Sequence, residues 1–381
     1  MSERPLRIVH VYNQLDPANG GPPRVIAGLA AAQQAAGHTV ALASADPVGL
    51  ESLSAFLSEY FDPLPPRIRI PPPFLPGPLR TVLRGADVAH LHGIWPIITL
   101  QASRVCRALG VPYVLSPHGS LHRGALGEKR LKKLLGMYGL GFGRMIRQAA
   151  ALHVLNAEEA DGAPRWLLPK RVATLPNGIF GARFAVPPTP GAFRATVPAL
   201  GAAPYVLFLS RVHPGKGCDL LAEAFGAVAR AHPQVHLVVA GRDQGGQTFF
   251  EAGARRHGYG DRLHLVGELA GARKDAAFTD AALFVLPSRH EGFSMAITEA
   301  LAWGRPVVIT DTCHFPAVAE VDAGRIVPCS SPEIAREINA LLANPDAVEM
   351  GLRGRKLVLE RYRWEVIGAE MEAVYRAVAR V

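Results

Sequence analysis

The stretch Ala282–Thr310 reads ALFVLPSRHEGFSMAITEALAWGRPVVIT. A short apolar run, ALFVLPS, gives way to a polar loop, RHEG. A helical run, SMAITEALAW, follows and is stopped by Gly304, and PVVIT is a second apolar run. Strand, loop, helix and strand at this spacing form a βαβ unit, so the sheet they belong to is parallel and covered on both faces. Two carboxylates sit inside the unit, Glu291 in the loop and Glu299 in the helix, eight positions apart. Eight helical residues turn through about 800°, some 80° past two full turns. Two helical glutamates at that spacing do not share a face, so these two converge only because Glu291 precedes the helix. Ionised carboxylates accept hydrogen bonds from hydroxyl groups. Two readings stand at this point: a pair of hydroxyl-binding acids, or a solvated loop acid beside a helix-face acid.

The same alternation runs outward through the chain. In the first half, strands are expected at LRIVHVY (Leu6–Tyr12), TVALASA, VAHLH (Val88–His92), PYVLS (Pro112–Ser116) and ALHVLN (Ala151–Asn156), with a helix over Arg24–Ala36 stopped by Gly37. In the second half they are expected at YVLFLS (Tyr205–Ser210), VHLVVAG (Val235–Gly241), LHLVG (Leu263–Gly267), ALFVLPS and PVVIT. The stretch Phe184–Pro204 lacks a clean period and carries several prolines and glycines, which suggests an inter-domain linker. The proline-rich stretch Asp62–Pro78 reads as a surface loop with RIRI as a short edge strand. The expectation is an α/β protein of two doubly wound, Rossmann-like domains facing each other across a cleft. Their bounds would be residues 1–190 and 200–364, and 365–381 reads as a closing helix. Parallel sheets bind ligands at the carboxyl ends of their strands, so the loops that follow strands carry the chemistry.

Composition sets limits on function. The chain has 381 residues, 49% hydrophobic and 19% charged, enough to build two cores. No apolar run approaches the roughly 18 residues needed to span a bilayer. The N-terminal MSERPLRIVH lacks the apolar stretch of a signal peptide, and none of the cysteines Cys106, Cys218, Cys313 and Cys329 forms a C-x-x-C pair. A cytoplasmic protein with reduced thiols is expected. The net charge of +9 lies wholly in residues 1–190, which hold 20 Lys+Arg against 11 Asp+Glu. A basic half attracts nucleic acid, anionic lipid or phosphorylated substrates, unless it reflects compositional drift alone. Without aromatic residues interleaved in a basic patch, nucleic acid ranks low.

In SRVHPGKG (Ser210–Gly217), Arg211 leaves a strand, Lys216 sits between two glycines, and Asp219 is placed to cap the next helix. Two cations at a strand-to-helix turn make an anion site. It is not a P-loop, because Ser210 and Gly217 stand where Gly and Ser/Thr are required, and GLGFG (Gly139–Gly143) is no dinucleotide fingerprint. Gly292, Phe293 and Ser294 stand at a loop-to-helix junction, where backbone N–H groups suit phosphate or hydroxyl oxygens. His90 and His92 lie on one strand face, but nothing adjacent in sequence completes a ligand set. With no H-E-x-x-H and no D-x-D near these loops, no metal or other cofactor is expected.

These motifs together resemble the retaining nucleotide-sugar glycosyltransferases of the GT-B fold, family four. That family's signature, E-x7-E within PS-x-x-EGF…EA-x-A-x-G-x-PVV, stands here as PSRHEGFSMAITEALAWGRPVV. Its Arg…Lys-Gly loop matches SRVHPGKG, its glycine-pair loop matches Gly20 and Gly21, its G-H-x-V matches GHTV, and its post-strand histidine matches His118 in SPHGSL. The resemblance implies that Arg211 and Lys216 hold the donor diphosphate and offset the charge of its departure. It implies that Glu291 binds donor-sugar hydroxyls, Glu299 the ribose hydroxyls, and the backbone from Gly292 through Phe293 and Ser294 to Met295 the sugar or phosphates. The base would lie near Gly241, Val266, Gly267 and Leu269. His118 would lie near the donor sugar from the opposite domain, and Gly20 and Gly21 would let the first loop approach phosphate and acceptor. Ser294 stands where the family often has Gly, which leaves the sugar open.

The implied activity is metal-independent, retaining transfer of a hexose from a nucleoside diphosphate sugar to a saccharide or polyprenyl-diphosphate-linked acceptor. Its setting would be bacterial cell-surface polysaccharide, lipopolysaccharide or exopolysaccharide, at the cytoplasmic membrane surface. The basic segment His122–Ala150, with seven Lys+Arg against Glu128 alone and a stripe of Leu131, Leu134 and Leu135, suits either an anionic membrane or a helix packed on the core. A GT-B epimerase, a glycosidase using Glu291 and Glu299 as acid and base, and a non-catalytic anionic-lipid-binding protein are the alternatives.

Overall fold

The computed structural model describes residues 4–16, 21–45, 55, 58, 65–71, 76–121 and 136–379. Gly20 and residues 122–135 of the basic segment lie outside them. The chain divides into two compact units, Met1–Phe180 with Arg363–Val381, and Gly181–Tyr362.

The first unit holds a seven-stranded sheet in the order β3-β2-β1-β4-β5-β6-β7. Its strands are β1 (Arg7–Tyr12), β2 (Thr39–Ser44), β3 (Arg67–Arg69), β4 (Val88–His92), β5 (Tyr113–Ser116), β6 (Ala151–Val154) and β7 (Val172–Thr174). All the pairings are parallel. The RIR strand is at an edge, where its short length limits unpaired backbone. Alternate residues face opposite sides. Val9, Val11, Ala89, Leu91, Tyr113, Leu115, Leu152 and Val154 enter one core. Leu6, Ile8, Val88, Val114 and Ala151 enter the other, which is closed by helix Gly21–Ala35 and helix Trp364–Val378. The terminal helix packs closely on the first: a Cβ on Gly28 would stand 2.1 Å from the Trp364 ring.

The second unit holds a six-stranded parallel sheet, β10-β9-β8-β11-β12-β13. Its strands are β8 (Tyr205–Leu209), β9 (His236–Ala240), β10 (Leu263–Gly267), β11 (Leu283–Leu286), β12 (Val307–Thr310) and β13 (Gly324–Val327). Edge strands β7 and β13 carry no uninterrupted apolar run, which is why pattern reading passes over them. No described helix is long and apolar enough to cross a membrane.

Two expectations need correction. Phe184–Pro204 is not a linker, because the second unit begins at Gly181 and includes it. Asp280 accepts the N–H groups of Gly191 at 2.7 Å and Phe193 at 2.9 Å, and the buried Phe193 ring lies 5.8 Å from Tyr205. Side-chain anchoring, invisible to periodicity, makes this irregular stretch part of the core. Asp219 does not cap the helix Cys218–Ala231. Gly217 at φ 72° is its N-cap, and Asp219 sits in the first turn, paired with Arg289 at 2.6 Å.

Candidate functional site

The expected residues Arg211, Lys216, Gly241, Val266, Gly267, Leu269, Glu291, Gly292, Phe293, Ser294, Met295 and Glu299 all belong to the second unit. Gly21 and His118 belong to the first, where Gly21 opens its helix with nothing within 4 Å of a built Cβ. The two loops of the second unit that follow the neighbouring strands β8 and β11 meet directly. Lys216 Nζ donates to Glu291 Oε1 at 2.6 Å, with the side chains 14% and 9% exposed. A salt bridge this shielded is far less screened than a surface pair.

Several groups force that meeting. Gly217 approaches the Pro287 carbonyl so closely that a Cβ would lie 1.9 Å from its oxygen. The Arg289 N–H donates to Gly215 O at 2.9 Å, and its guanidinium donates to Pro214 O at 2.9 Å and forks onto Asp219. The Glu291 N–H is held by Thr312 O at 3.0 Å. Arg289 and Asp219 were not among the expected site residues. An exposed Arg beside a helix start carries little signal in sequence, since its partner stands 70 positions away. Arg211 is exposed, and its Nη1 lies 3.5 Å from Gln244 Oε1.

Ser294 caps the helix Met295–Ala302, its side chain accepting from Ile297 N–H. That gives the departure from glycine a structural purpose, because a serine N-cap contributes about 1 kcal/mol to helix stability. Glu299, 6% exposed, has Oε1 bound by Lys274 at 2.7 Å and Arg183 at 3.0 Å. Arg183 also forks onto Asp275, which takes the Trp303 indole N–H at 3.1 Å. Glu299 therefore belongs to a buried charge network that its own neighbourhood in sequence does not reveal.

Of the residues expected around the base, Gly241 and Gly267 line a cavity of about 350 Å³, with Val212, Arg242, Asp243, Leu265 and Glu268. Val266 and Leu269 are not in its lining, and the strand register is irregular between Leu265 and Gly267 at the end of β10. Gly241 is held by a 2.7 Å bond from its N–H to Gly267 O, and a Cβ there would stand 1.7 Å from Ser210 O. Asp243 accepts three successive N–H groups, from Gly245, Gly246 and Gln247, and so fixes the adjoining loop. A wider, open depression of about 1030 Å³, lined by residues such as Asp322, Arg353 and Arg361, contains none of the expected residues.

In the first unit, His90 and His92 are not an isolated pair. His10 from β1 stands beside them, and each of the three rings has a nitrogen within 4.8 Å of the others, a spacing that could hold a metal ion. The buried His153 and the half-buried His118 complete a file of imidazoles. Burial lowers His10 to about 4, His153 to about 4 and His118 to about 3, and pushes His90 and His92 well below the ordinary range. The ring nitrogens of His10, His90 and His92 already take part in hydrogen bonds, which a bound cation would have to displace.

The family described as "Glycosyl transferases group 1" matches residues 193–356, and that described as "Glycosyl transferase 4-like domain" matches residues 20–178. The D-inositol 3-phosphate glycosyltransferase of Segniliparus rotundus is 30% identical over 284 residues, 71% of this chain. The chain spans 62% of that relative's own length. The GDP-mannose:cellobiosyl-diphosphopolyprenol alpha-mannosyltransferase of Xanthomonas campestris is 27% identical over 395 aligned positions, 98% of this chain and 97% of that one. Anabaena HepE, solved in complex with UDP and glucose, shares the fold with a TM-score of 0.77 at 16% identity, covering 98% of this chain and all of that one. With its two halves matched by two glycosyltransferase domain families and its parallel α/β sheets matched by GT-B structures, the chain belongs to the family-four glycosyltransferases of the GT-B fold.

Proposed function

We propose that the protein transfers a hexose from a nucleoside diphosphate sugar to a lipid-linked or saccharide acceptor, with retention at the anomeric carbon and without a metal, in assembly of bacterial cell-surface polysaccharide. The contact between Lys216 and Glu291 carries this reading. It puts a cation for phosphate and an acceptor for hydroxyls side by side at the carboxyl ends of two parallel strands. A diphosphate brings more negative charge than one carboxylate, so it draws Lys216 away and frees Glu291 for the donor sugar. Lys216 and Arg211 then offset the charge that develops on the leaving phosphate, the role a divalent ion has elsewhere. Glu299, already oriented by Lys274 and Arg183, takes the ribose hydroxyls, and the backbone from Gly292 to Met295 takes sugar or phosphate oxygens. Gly241 and Gly267 flank the base, while Gly20, Gly21 and His118 serve from the first unit.

The name of the Xanthomonas campestris relative includes a diphosphopolyprenol acceptor, and the basic first half of this chain suits such an anionic substrate at a membrane surface. Each site carboxylate faces a cation, the reverse of the apolar pocket in which a glycosidase keeps its general acid. The test is a thermal-shift screen of UDP-, GDP- and ADP-sugars followed by turnover of the sugar that binds, with and without EDTA. A donor at 100 times its Kd adds about 2.7 kcal/mol of stability. Absence of any shift and of any turnover overturns the proposal, and loss of turnover in EDTA overturns its metal-free part.

A further inference from the structure

The first sheet carries a polar row on an otherwise apolar face. Ile8, Val88, Val114 and Ala151 point to one core, and two positions later on the same strands and the same face stand His10, His90, Ser116 and His153. His92 follows His90 on that face and pairs in register with Ser116. Gln33 from helix Gly21–Ala35 and Tyr375 from helix Trp364–Val378 close over the row.

The direction of every hydrogen bond in this row follows from one atom. The carbonyl oxygen of Leu175 can only accept, so His153 Nε2, 3.0 Å away, bears the proton. Burial keeps the ring neutral, so His153 Nδ1 is bare and accepts from the Ser116 hydroxyl at 2.7 Å. Ser116 Oγ then accepts from His90 Nε2–H at 2.6 Å, and His90 Nδ1 accepts from the Tyr375 hydroxyl at 2.6 Å. Tyr375 accepts from the Gln33 amide nitrogen at 3.1 Å, which turns Gln33 Oε1 toward His10 Nε2–H at 2.8 Å. His10 Nδ1 accepts from His92 Nε2–H at 2.9 Å, and His92 Nδ1 accepts from His118 Nε2–H at 3.0 Å. The chain ends with His118 Nδ1 bare, and no described residue bonds to it.

The backbone at this end is held in an uncommon conformation. His118 has φ 52° and Gly119 φ 80°. The Gly119 N–H donates to the carboxylate of Glu159, which is 2% exposed and also accepts the Leu155 N–H at 3.1 Å. A non-glycine residue in the left-handed region persists where its surroundings over-determine it, and such positions cluster at ligand sites.

We propose that this chain locks His118 as its Nε2–H tautomer, so that Nδ1 is a standing acceptor for a ligand hydroxyl, and that Gln33, Tyr375, Ser116 and His153 are positioning residues acting through it. A bare Nδ1 receives a hydroxyl proton and turns away a phosphate or carboxylate oxygen, which brings only lone pairs. The hydroxyl-bearing ligand rests on the glycosyltransferase reading; the tautomer does not.

The experiment is a long-range proton–nitrogen correlation spectrum of the protein labelled with 15N-histidine at pH 7.5, the His118 signals identified by their loss in His118→Gln. The wild type is expected to show the proton on Nε2 alone. Tyr375→Phe and Ser116→Ala cut the chain on opposite sides of His90, and each is expected to give a mixture of tautomers at His118. Unchanged signals from His38, whose Nδ1 accepts the Leu6 N–H in the first unit, report that the variants are folded. A wild-type His118 protonated on Nδ1 overturns the proposal, whether or not a variant folds. Folded variants that both keep His118 wholly in the Nε2–H form overturn it too. Because the spectrum needs no substrate, a failure to find transferase activity bears on the proposed function alone.

Discussion

Lys216 and Glu291 are 75 positions apart in the chain and 2.6 Å apart in the folded unit. Two loops with different patterns, one basic and one acidic, form a single site because the strands they follow, β8 and β11, are neighbours in the sheet. Each side chain holds the other in place before any ligand arrives.

Replacing Lys216 removes both the proposed phosphate-binding cation and the partner of Glu291. Lys216→Ala is expected to lower turnover by roughly 10²–10³-fold, the range for loss of one group that stabilises developing charge. Steady-state kinetics with the donor identified by the thermal-shift screen measure this. Undiminished turnover in Lys216→Ala/Arg211→Ala contradicts the diphosphate assignment.

The two glutamates differ in how much structure depends on them. Glu299 meets two cations in a buried network, so Glu299→Gln is expected to cost about 2–4 kcal/mol of stability and to weaken binding of the free nucleotide. Glu291→Gln should leave free-nucleotide affinity near the wild-type value and reduce turnover, since its proposed place is with the sugar. Denaturant melts and calorimetric titration of the free nucleotide separate the two. Equal losses of nucleotide affinity would falsify the division of labour.

Gly217 tolerates no side chain. Its φ of 72° and the 1.9 Å approach of a built Cβ to Pro287 O mean that Gly217→Ala must move the loop that carries Lys216. A loss of about 3 kcal/mol or more is expected, with nucleotide binding lost alongside it. Gly245→Ala is the control: its φ is also positive, at 88°, but nothing lies within 4 Å of a Cβ there. It should cost only the backbone strain, about 1 kcal/mol.

Four buried histidines, with the half-buried His118 beside them, make the first unit sensitive to acid. In the unfolded chain each takes up a proton near pH 6.5. In the folded unit burial delays uptake to about 4 for His10 and His153, about 3 for His118, and well below the ordinary range for His90 and His92. The unfolded state therefore holds more protons below pH 6.5, and stability is lost as the pH falls from there towards 4, by about 1.4 kcal/mol per pH unit for each group. Thermal melts across that window should show the midpoint of the first unit falling steadily. A flat profile between pH 6.5 and 4 contradicts the neutral file.

The sequence by itself determined the parallel strands at the centre of both sheets, because buried strands read as short apolar runs between helical periods. It also determined the loops that carry Arg211, Lys216 and Glu291, because the residue types that suit phosphate and hydroxyl groups stand right after strands. The pattern Ile-x-His, Val-x-His-x-His, Val-x-Ser and Ala-x-His at the ends of β1, β4, β5 and β6 was there to be read as one polar row. Periodicity places each residue on a face but does not say which strands are neighbours. Only the tertiary structure decided that Lys216 pairs with Glu291, that Arg183 and Lys274 hold Glu299, and that the file from Leu175 to His118 runs unbroken. The physical reason is the same in each case. The partners come from elements far apart in the chain, and a hydrogen bond or buried ion pair exists only when packing brings two particular atoms within about 3 Å of each other.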